Sequence, residues 1–144
     1  MRSDCVFCKI GGGQIPAQRI HEDELTVAFL DVDQINPGHV VVAVKPHIEA
    51  IVDLSPDQAA AVFRTVSQVA RAVEAALEPA GLMILQTSGA VAGQTIAHLH
   101  LHVLPRTADD GVSLTWPRRS SPADELAKLA DQIRRALTRE RSLP

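Results

Sequence analysis

Apolar residues recur along two stretches at helical spacing and along five others in the tighter rhythm of strands. Over 55–77, Val62, Phe63, Val66, Val69, Ala70, Val73 and Leu77 keep the three-to-four-residue interval of one helix face. Ser55-Pro56-Asp57-Gln58 opens that stretch with an N-cap serine, a proline at the first helical position and a glutamine where a capping box needs one. Pro79 and Gly81 close it. A second helix is predicted over 121–139, with Leu126, Leu129, Ile133 and Leu137 on one stripe and a basic, solvated end over 134–141. Strands are predicted at 19–22, 25–32, 39–45, 82–87 and 98–104, with Asn36-Pro37-Gly38 turning the chain between the second and third. Gly11-Gly12-Gly13 reads as a further turn. Strands, a long helix, two more strands and a late helix predict an α+β fold. It is an antiparallel sheet of about five strands carrying a long central helix and a C-terminal helix, in one domain over 1–144.

Composition narrows the class. The 144 residues are 46% hydrophobic and 22% charged, a balance that suits a folded globular chain rather than a disordered one. The longest all-aliphatic run, Val40–Val44, is far too short for a membrane span. No apolar segment follows Met1-Arg2-Ser3-Asp4 as a signal peptide would require, so the expected location is cytoplasmic. The net charge of −3 and pI of about 6.0 lack the basic footprint of a nucleic-acid binder. Neither a nucleic acid nor a membrane is expected as a partner.

The chemistry concentrates in His98-Leu99-His100-Leu101-His102-Val103-Leu104. Residues two apart in a strand share a face, so three of the six histidines are expected in one row while Leu99, Leu101 and Val103 point the other way. One use for such a row is metal binding. At a rise of about 3.3 Å per residue the outer α-carbons stand about 13 Å apart. Bonds of about 2.0–2.1 Å cannot comfortably draw all three rings onto one tetrahedral zinc, although two rings with outside ligands can bind one. The other use is nucleophilic attack on phosphorus by the middle ring, His100, with its far nitrogen held by an acceptor and a neighbouring ring as donor. Gly93-Gln94-Thr95 just upstream offers a bend, an amide and a hydroxyl suited to a phosphoryl transition state.

The complete His-x-His-x-His pattern resembles the histidine triad family of nucleotidyl hydrolases and transferases. Phe7-Cys8-Lys9-Ile10, Ile15-Pro16-Ala17, Phe29-Leu30-Asp31-Val32, Pro37-Gly38-His39, Lys45-Pro46-His47-Ile48 and Gly93-Gln94-Thr95 extend that resemblance over most of the chain. It implies that His100 attacks the α-phosphorus to form a nucleotidyl-histidine resolved by water. His102 would contact the phosphate or the scissile bond, His98 would order the row, and Gln94 and Thr95 would bind phosphate and leaving group. Asp31 would hold the ribose hydroxyls. Phe7, Ile15, Phe29, Leu30 and Val32 would line the base pocket, with Gly93 and Thr87 at the substrate as well. Thr87 stands where the family often places asparagine.

The resemblance further implies a purine nucleotide substrate and a homodimer that joins its sheets and pairs the helices over 55–77. The N-terminal half resembles the nucleoside phosphoramidase branch, whereas Val103-Leu104-Pro105-Arg106 is similar to the dinucleoside polyphosphate hydrolases, with Arg106 at a second phosphate. Trp116-Pro117 would lie near the leaving group. Related bacterial proteins carrying the Cys5-x-x-Cys8 pair resemble zinc binders with two cysteines and two histidines, which here implies Cys5, Cys8, His47 and His98. Such an ion would be structural, with no cofactor needed for the chemistry. A thioredoxin-like role for Cys5-x-x-Cys8 is not expected, because no helix in a β-α-β setting is predicted after it. His21 and His39 are expected to be structural. The leading expectation is hydrolysis of a phosphoramidate P–N bond. The alternatives are hydrolysis of dinucleoside polyphosphates, transfer of the nucleotide to phosphate, a metal-dependent hydrolase, and a nucleotide-binding protein with little turnover.

Overall fold

The computed structural model describes residues 2–140. Five strands, β1 (Arg19–Glu22), β2 (Thr26–Leu30), β3 (Val40–Val44), β4 (Gly81–Gln86) and β5 (His100–Arg106), form one antiparallel sheet in the order β1-β2-β3-β5-β4. Three α-helices accompany them among the described residues: α1 (Val6–Gly11), α2 (Pro56–Leu77) and α3 (Ala123–Glu140). The chain divides into two compact units, one up to Val112 and one from Ser113 onward.

β3 pairs with β2 and β5 on its two sides, and all five of its residues are buried, as its unbroken Val-Val-Val-Ala-Val run dictates. Alternation then gives the two faces separate work. Ala28, Val40, Val42, Val44, Leu99, Leu101 and Val103 pack against Val62, Val66, Val69 and Val73 of α2. Val27, Phe29, Val41 and Ala43 face the other way, under Ile10 and the partly buried Val6, Phe7, Ile15 and Ala17. Ser55 and Gln58 form the predicted capping box, with Ser55 Oγ accepting from the Gln58 amide at 3.2 Å. Thr65 of α2, fully buried, meets Thr26 of β2 hydroxyl to hydroxyl at 2.8 Å, so the helix–sheet interface holds a satisfied polar pair.

Three local expectations change. Phe63 and Leu77 of α2 are 52% and 50% exposed, outside the core stripe. α1 follows directly on Cys5; six residues are too few for a periodic signal, and the helix is held by burying Cys8 and Ile10. β5 begins at His100: His98 donates its amide to the Ile96 carbonyl at 2.8 Å, and Leu99 donates to Ile48 at 2.6 Å while its carbonyl still accepts from the Val44 amide of β3 at 3.4 Å. In the second unit α3 carries its apolar stripe half-exposed, from Leu126 (54%) to Leu137 (54%). Arg141, at the far end of the predicted basic stretch, lies outside the described residues. No described helix is long and apolar enough to cross a membrane.

Candidate active site

β5 carries the centre of the site. Its register sets His100 opposite Ala43 and His102 opposite Val41, which turns both rings to the face away from α2. His100 is 4% exposed. Its Nδ1 lies 2.6 Å from the backbone carbonyl of His98, so Nδ1 carries the proton and Nε2 keeps a bare lone pair. Burial pushes its pKa below the ordinary histidine value, so the ring is neutral at pH 7. The Phe7 ring meets it edge-on at 4.9 Å and meets Phe29 at 5.5 Å, making an apolar floor beside the imidazole.

His102 packs against His100 at 4.9 Å between ring centroids and shares a 2.8 Å bond between its Nδ1 and His39 Nε2. The Ile35 amide donates to His39 Nδ1 at 3.4 Å. That tautomer makes His39 Nε2 the donor to His102 Nδ1 and leaves His102 Nε2–H as a donor. Asp31 stands at the end of the chain of rings, one carboxylate oxygen 3.7 Å from His39 Nδ1 and the other accepting from the Asp33 amide at 3.0 Å. Burial, with His100 and His39 nearby, pushes the His102 pKa down to about 4. His39, expected to be a structural histidine, takes a backbone amide at one nitrogen and meets His102 at the other.

His98 stands at the outer end of the row, its ring centroid 5.8 Å from that of Phe7. Its Nε2 donates to the Val44 carbonyl at 2.6 Å, and its Nδ1 faces Cys5 Sγ at 3.3 Å and Cys8 Sγ at 3.7 Å. His47 Nδ1 lies 3.4 Å from Cys8 Sγ, while its Nε2 meets Glu49 Oε1 at 3.4 Å. The four donor atoms of Cys5, Cys8, His47 and His98 all fall within 4.8 Å of one another. Zinc bonds of about 2.3 Å to sulfur and 2.0–2.1 Å to nitrogen, at tetrahedral angles, imply sulfur–nitrogen edges of about 3.5 Å. The observed 3.3, 3.4 and 3.7 Å match. Both rings also anchor their far nitrogens on oxygen acceptors, the usual support of metal-bound imidazoles. The residues fit a tetrahedral zinc.

The remaining expected site residues divide. Phe7, Phe29 and Ile15 gather on the histidine face. Leu30 does not: it follows Phe29 by one position, turns to the α2 face and packs in the other core cluster. Val32 lies past the end of β2 and is 93% exposed. Gln94 staples its own loop, accepting from the Gly89 amide at 2.6 Å and donating to the Glu49 carbonyl at 2.8 Å. Gly93 holds φ at 95°, a left-handed value that explains glycine there. Thr95 borders a hollow of about 320 Å³ with Arg2, Asp4, Cys5 and His47, on the cysteine side of the site. The Thr87 carbonyl accepts from Gln86 Nε2 at 2.8 Å. Arg106 is not free for a second phosphate: it is bound to Asp110 through Nε at 2.5 Å and Nη2 at 2.9 Å, and to the Val112 carbonyl. Trp116 belongs to the second unit and is 68% exposed.

A family profile described as HIT domain matches residues 12–109. The crystal structure of a member of the HIT family from Bacillus subtilis superposes with a TM-score of 0.89 at 35% identity, covering 92% of this chain and 96% of that one. The adenosine 5'-monophosphoramidase hnt1 of Schizosaccharomyces pombe is 32% identical over 130 residues, 90% of this chain and 95% of that protein. A Zn-bound histidine triad family protein from Mycobacterium smegmatis is 36% identical with a TM-score of 0.72, covering 96% of both chains.

Proposed function

The chain belongs to the HIT family, and on that premise we propose that it hydrolyses nucleoside phosphoramidates, with adenosine 5'-phosphoramidate the favoured class, through a nucleotidyl intermediate on His100. The observation that carries this reading is the 2.6 Å bond from His100 Nδ1–H to the His98 carbonyl. It leaves Nε2 as a neutral nucleophile, and it stabilises the positive charge the ring acquires when Nε2 bonds to phosphorus. In the first step the Nε2 lone pair attacks the α-phosphorus and the P–N bond breaks, the amine leaving with a proton drawn from water. In the second, water adds to phosphorus, the Nε2–P bond breaks and the neutral ring returns. The sum is one water consumed, with amine and nucleoside monophosphate released. His102 Nε2–H is the donor to the phosphoryl oxygens, held in that tautomer by His39. Asp31 is the acceptor for the ribose hydroxyls, and Phe7, Phe29 and Ile15 form the apolar wall for the base. The relative named as an adenosine 5'-monophosphoramidase supports a P–N bond ahead of a polyphosphate, as does the occupation of Arg106 by Asp110.

We assign Cys5, Cys8, His47 and His98 to one structural zinc ion. Four protein ligands leave no open position on it, so the chemistry stays with the imidazoles. We also assign the protein as a homodimer. β4 is an edge strand with one side unpaired, and Ile84 on its α2-facing side and Phe63 on α2 are apolar side chains left 42% and 52% exposed.

The test is incubation with adenosine 5'-phosphoramidate and, separately, a diadenosine polyphosphate. We expect AMP from the first, an adduct mapped by mass spectrometry to His100 in acid-quenched samples, and a rate about 1,000-fold lower or less in His100→Ala. Product from neither substrate, with mononucleotide binding retained, would instead mark a binding protein with little turnover.

A further inference from the structure

We infer that His98 and Phe7 are positioning residues that transmit the order of the Cys5, Cys8, His47 and His98 cluster to the nucleophilic ring of His100. The inference rests on the proposed role of His100 and adds a dependence that the reaction itself does not require.

Two separate paths run from the cluster to that ring. The first is the backbone of His98. The carbonyl that fixes the His100 tautomer belongs to a residue outside the β3–β5 ladder, which begins at the Ala43 and His100 pair. The peptide that carries it is held by the Leu99 amide on the Ile48 carbonyl at 2.6 Å, directly after the cluster residue His47. His98 itself is held by its ring, through Val44 at one nitrogen and the two sulfurs at the other. The second path is α1. A six-residue helix has no stability of its own, and no side chain caps this one. Cys5 just before it and Cys8 within it tie it to His98 and His47. Phe7, between the two cysteines, touches the rings of His98 at 5.8 Å and His100 at 4.9 Å. Drawing the four donors onto one dication fixes both the carbonyl behind Nδ1 and the aromatic edge that keeps water from the ring. Releasing the ion frees Cys5 and Cys8, and with them Phe7 and the His98 ring.

The experiment reads the ring directly. Full-length protein with ¹⁵N-labelled histidine is compared by two-bond ¹H–¹⁵N spectroscopy when loaded with zinc chloride, after EDTA treatment, and as zinc-loaded Phe7→Leu, which keeps every ligand. The loaded protein should show His100 as a single Nδ1–H tautomer. The depleted protein and Phe7→Leu should show shifts averaged toward mixed tautomers. With adenosine 5'-phosphoramidate, kcat should fall about tenfold on depletion. If depletion unfolds the sheet, as its amide spectrum reports, Phe7→Leu alone decides the question. Identical His100 spectra in the folded states, or no zinc bound at micromolar concentration, would overturn the inference. A responsive ring in a protein that cleaves no phosphoramidate would uphold the coupling and remove the proposed reaction. An indifferent ring in an active enzyme would do the reverse.

Discussion

His39 Nε2 lies 2.8 Å from His102 Nδ1, so a ring just before β3 and a ring on β5 form one hydrogen-bonded unit beside His100. His39 is 1% exposed and takes the Ile35 amide at its other nitrogen, which gives the pair a direction: donation runs outward from His39 to His102. His39→Leu keeps the volume and removes both nitrogens. We expect kcat on adenosine 5'-phosphoramidate to fall about 100-fold with KM little changed. His39→Gln, whose amide can still donate to His102 Nδ1, should recover part of the loss. Equal rates in both variants would remove His39 from the machinery.

The same burial makes the protein acid-sensitive. The His102 pKa is pushed down to about 4 and that of His39 is lowered, both first by burial. Unfolded, each ring titrates near 6.5, so between about 6.5 and 4 the unfolded chain binds more protons than the folded one. Stability is therefore complete above about pH 6.5 and is lost as pH falls through that window. Urea midpoints measured from pH 8 to 4.5 should be flat at first and then decline, and His102→Gln should flatten the decline. A midpoint that rises on acidification would contradict the assignment.

Some of this was legible in the sequence and some was not, for physical reasons. The five strands and α2 follow from period and punctuation, and the capping box at Ser55 and Gln58 formed as its residues required. The alternation carries past the ladder: Leu99, Leu101 and Val103 pack toward α2 while the His98 and His100 rings both meet Phe7, but the ladder begins at His100, so His98, two residues before it, is turned to Val44 and the cysteines in a way that alternation alone does not specify. α1 gave no periodic signal; what holds it is the cysteine pair at one end and Ile10 at the other. The place of His39 had a readable clue. His39, Val41 and Ala43 share a face, and any antiparallel register that sets Val41 against His102 brings His39 diagonally beside that ring. Leu30 failed as a pocket residue by the same alternation that seats Phe29.

Gly38 turns the chain between β2 and β3 at a φ of 89°, and a Cβ there would overlap Leu77 Cδ1 at the end of α2. Two costs therefore meet at one residue, backbone strain and steric overlap. Gly38→Ala should destabilise the fold by about 1–3 kcal/mol, read as a lower urea midpoint. Leu77 is half-exposed and free to be shortened, so Leu77→Ala in the same chain relieves the overlap and leaves the strain. The double variant should recover part of the loss. An unchanged midpoint in Gly38→Ala would show that the turn adopts another conformation in solution.

The proposed dimer depends on the uncovered side of β4. Leu82 and Ile84 alternate onto the α2 face, but α2 packs chiefly over β3, β5 and β2, so Leu82 is partly buried while Ile84 stays open. A second copy laid edge to edge along β4 would continue the sheet and cover Ile84 and Phe63 with their own symmetry mates. Because each substitution enters such an interface twice, Ile84→Lys places two unpaired charges in it. Sedimentation equilibrium should give a dimer for the wild type and a dissociation constant raised about 100-fold or more for Ile84→Lys. Ile20→Lys, on β1 at the opposite edge of the sheet and 47% exposed, is the matched control for an added charge and should leave association unchanged. A wild-type monomer at micromolar concentration, or equal association of both variants, would place the partner surface elsewhere.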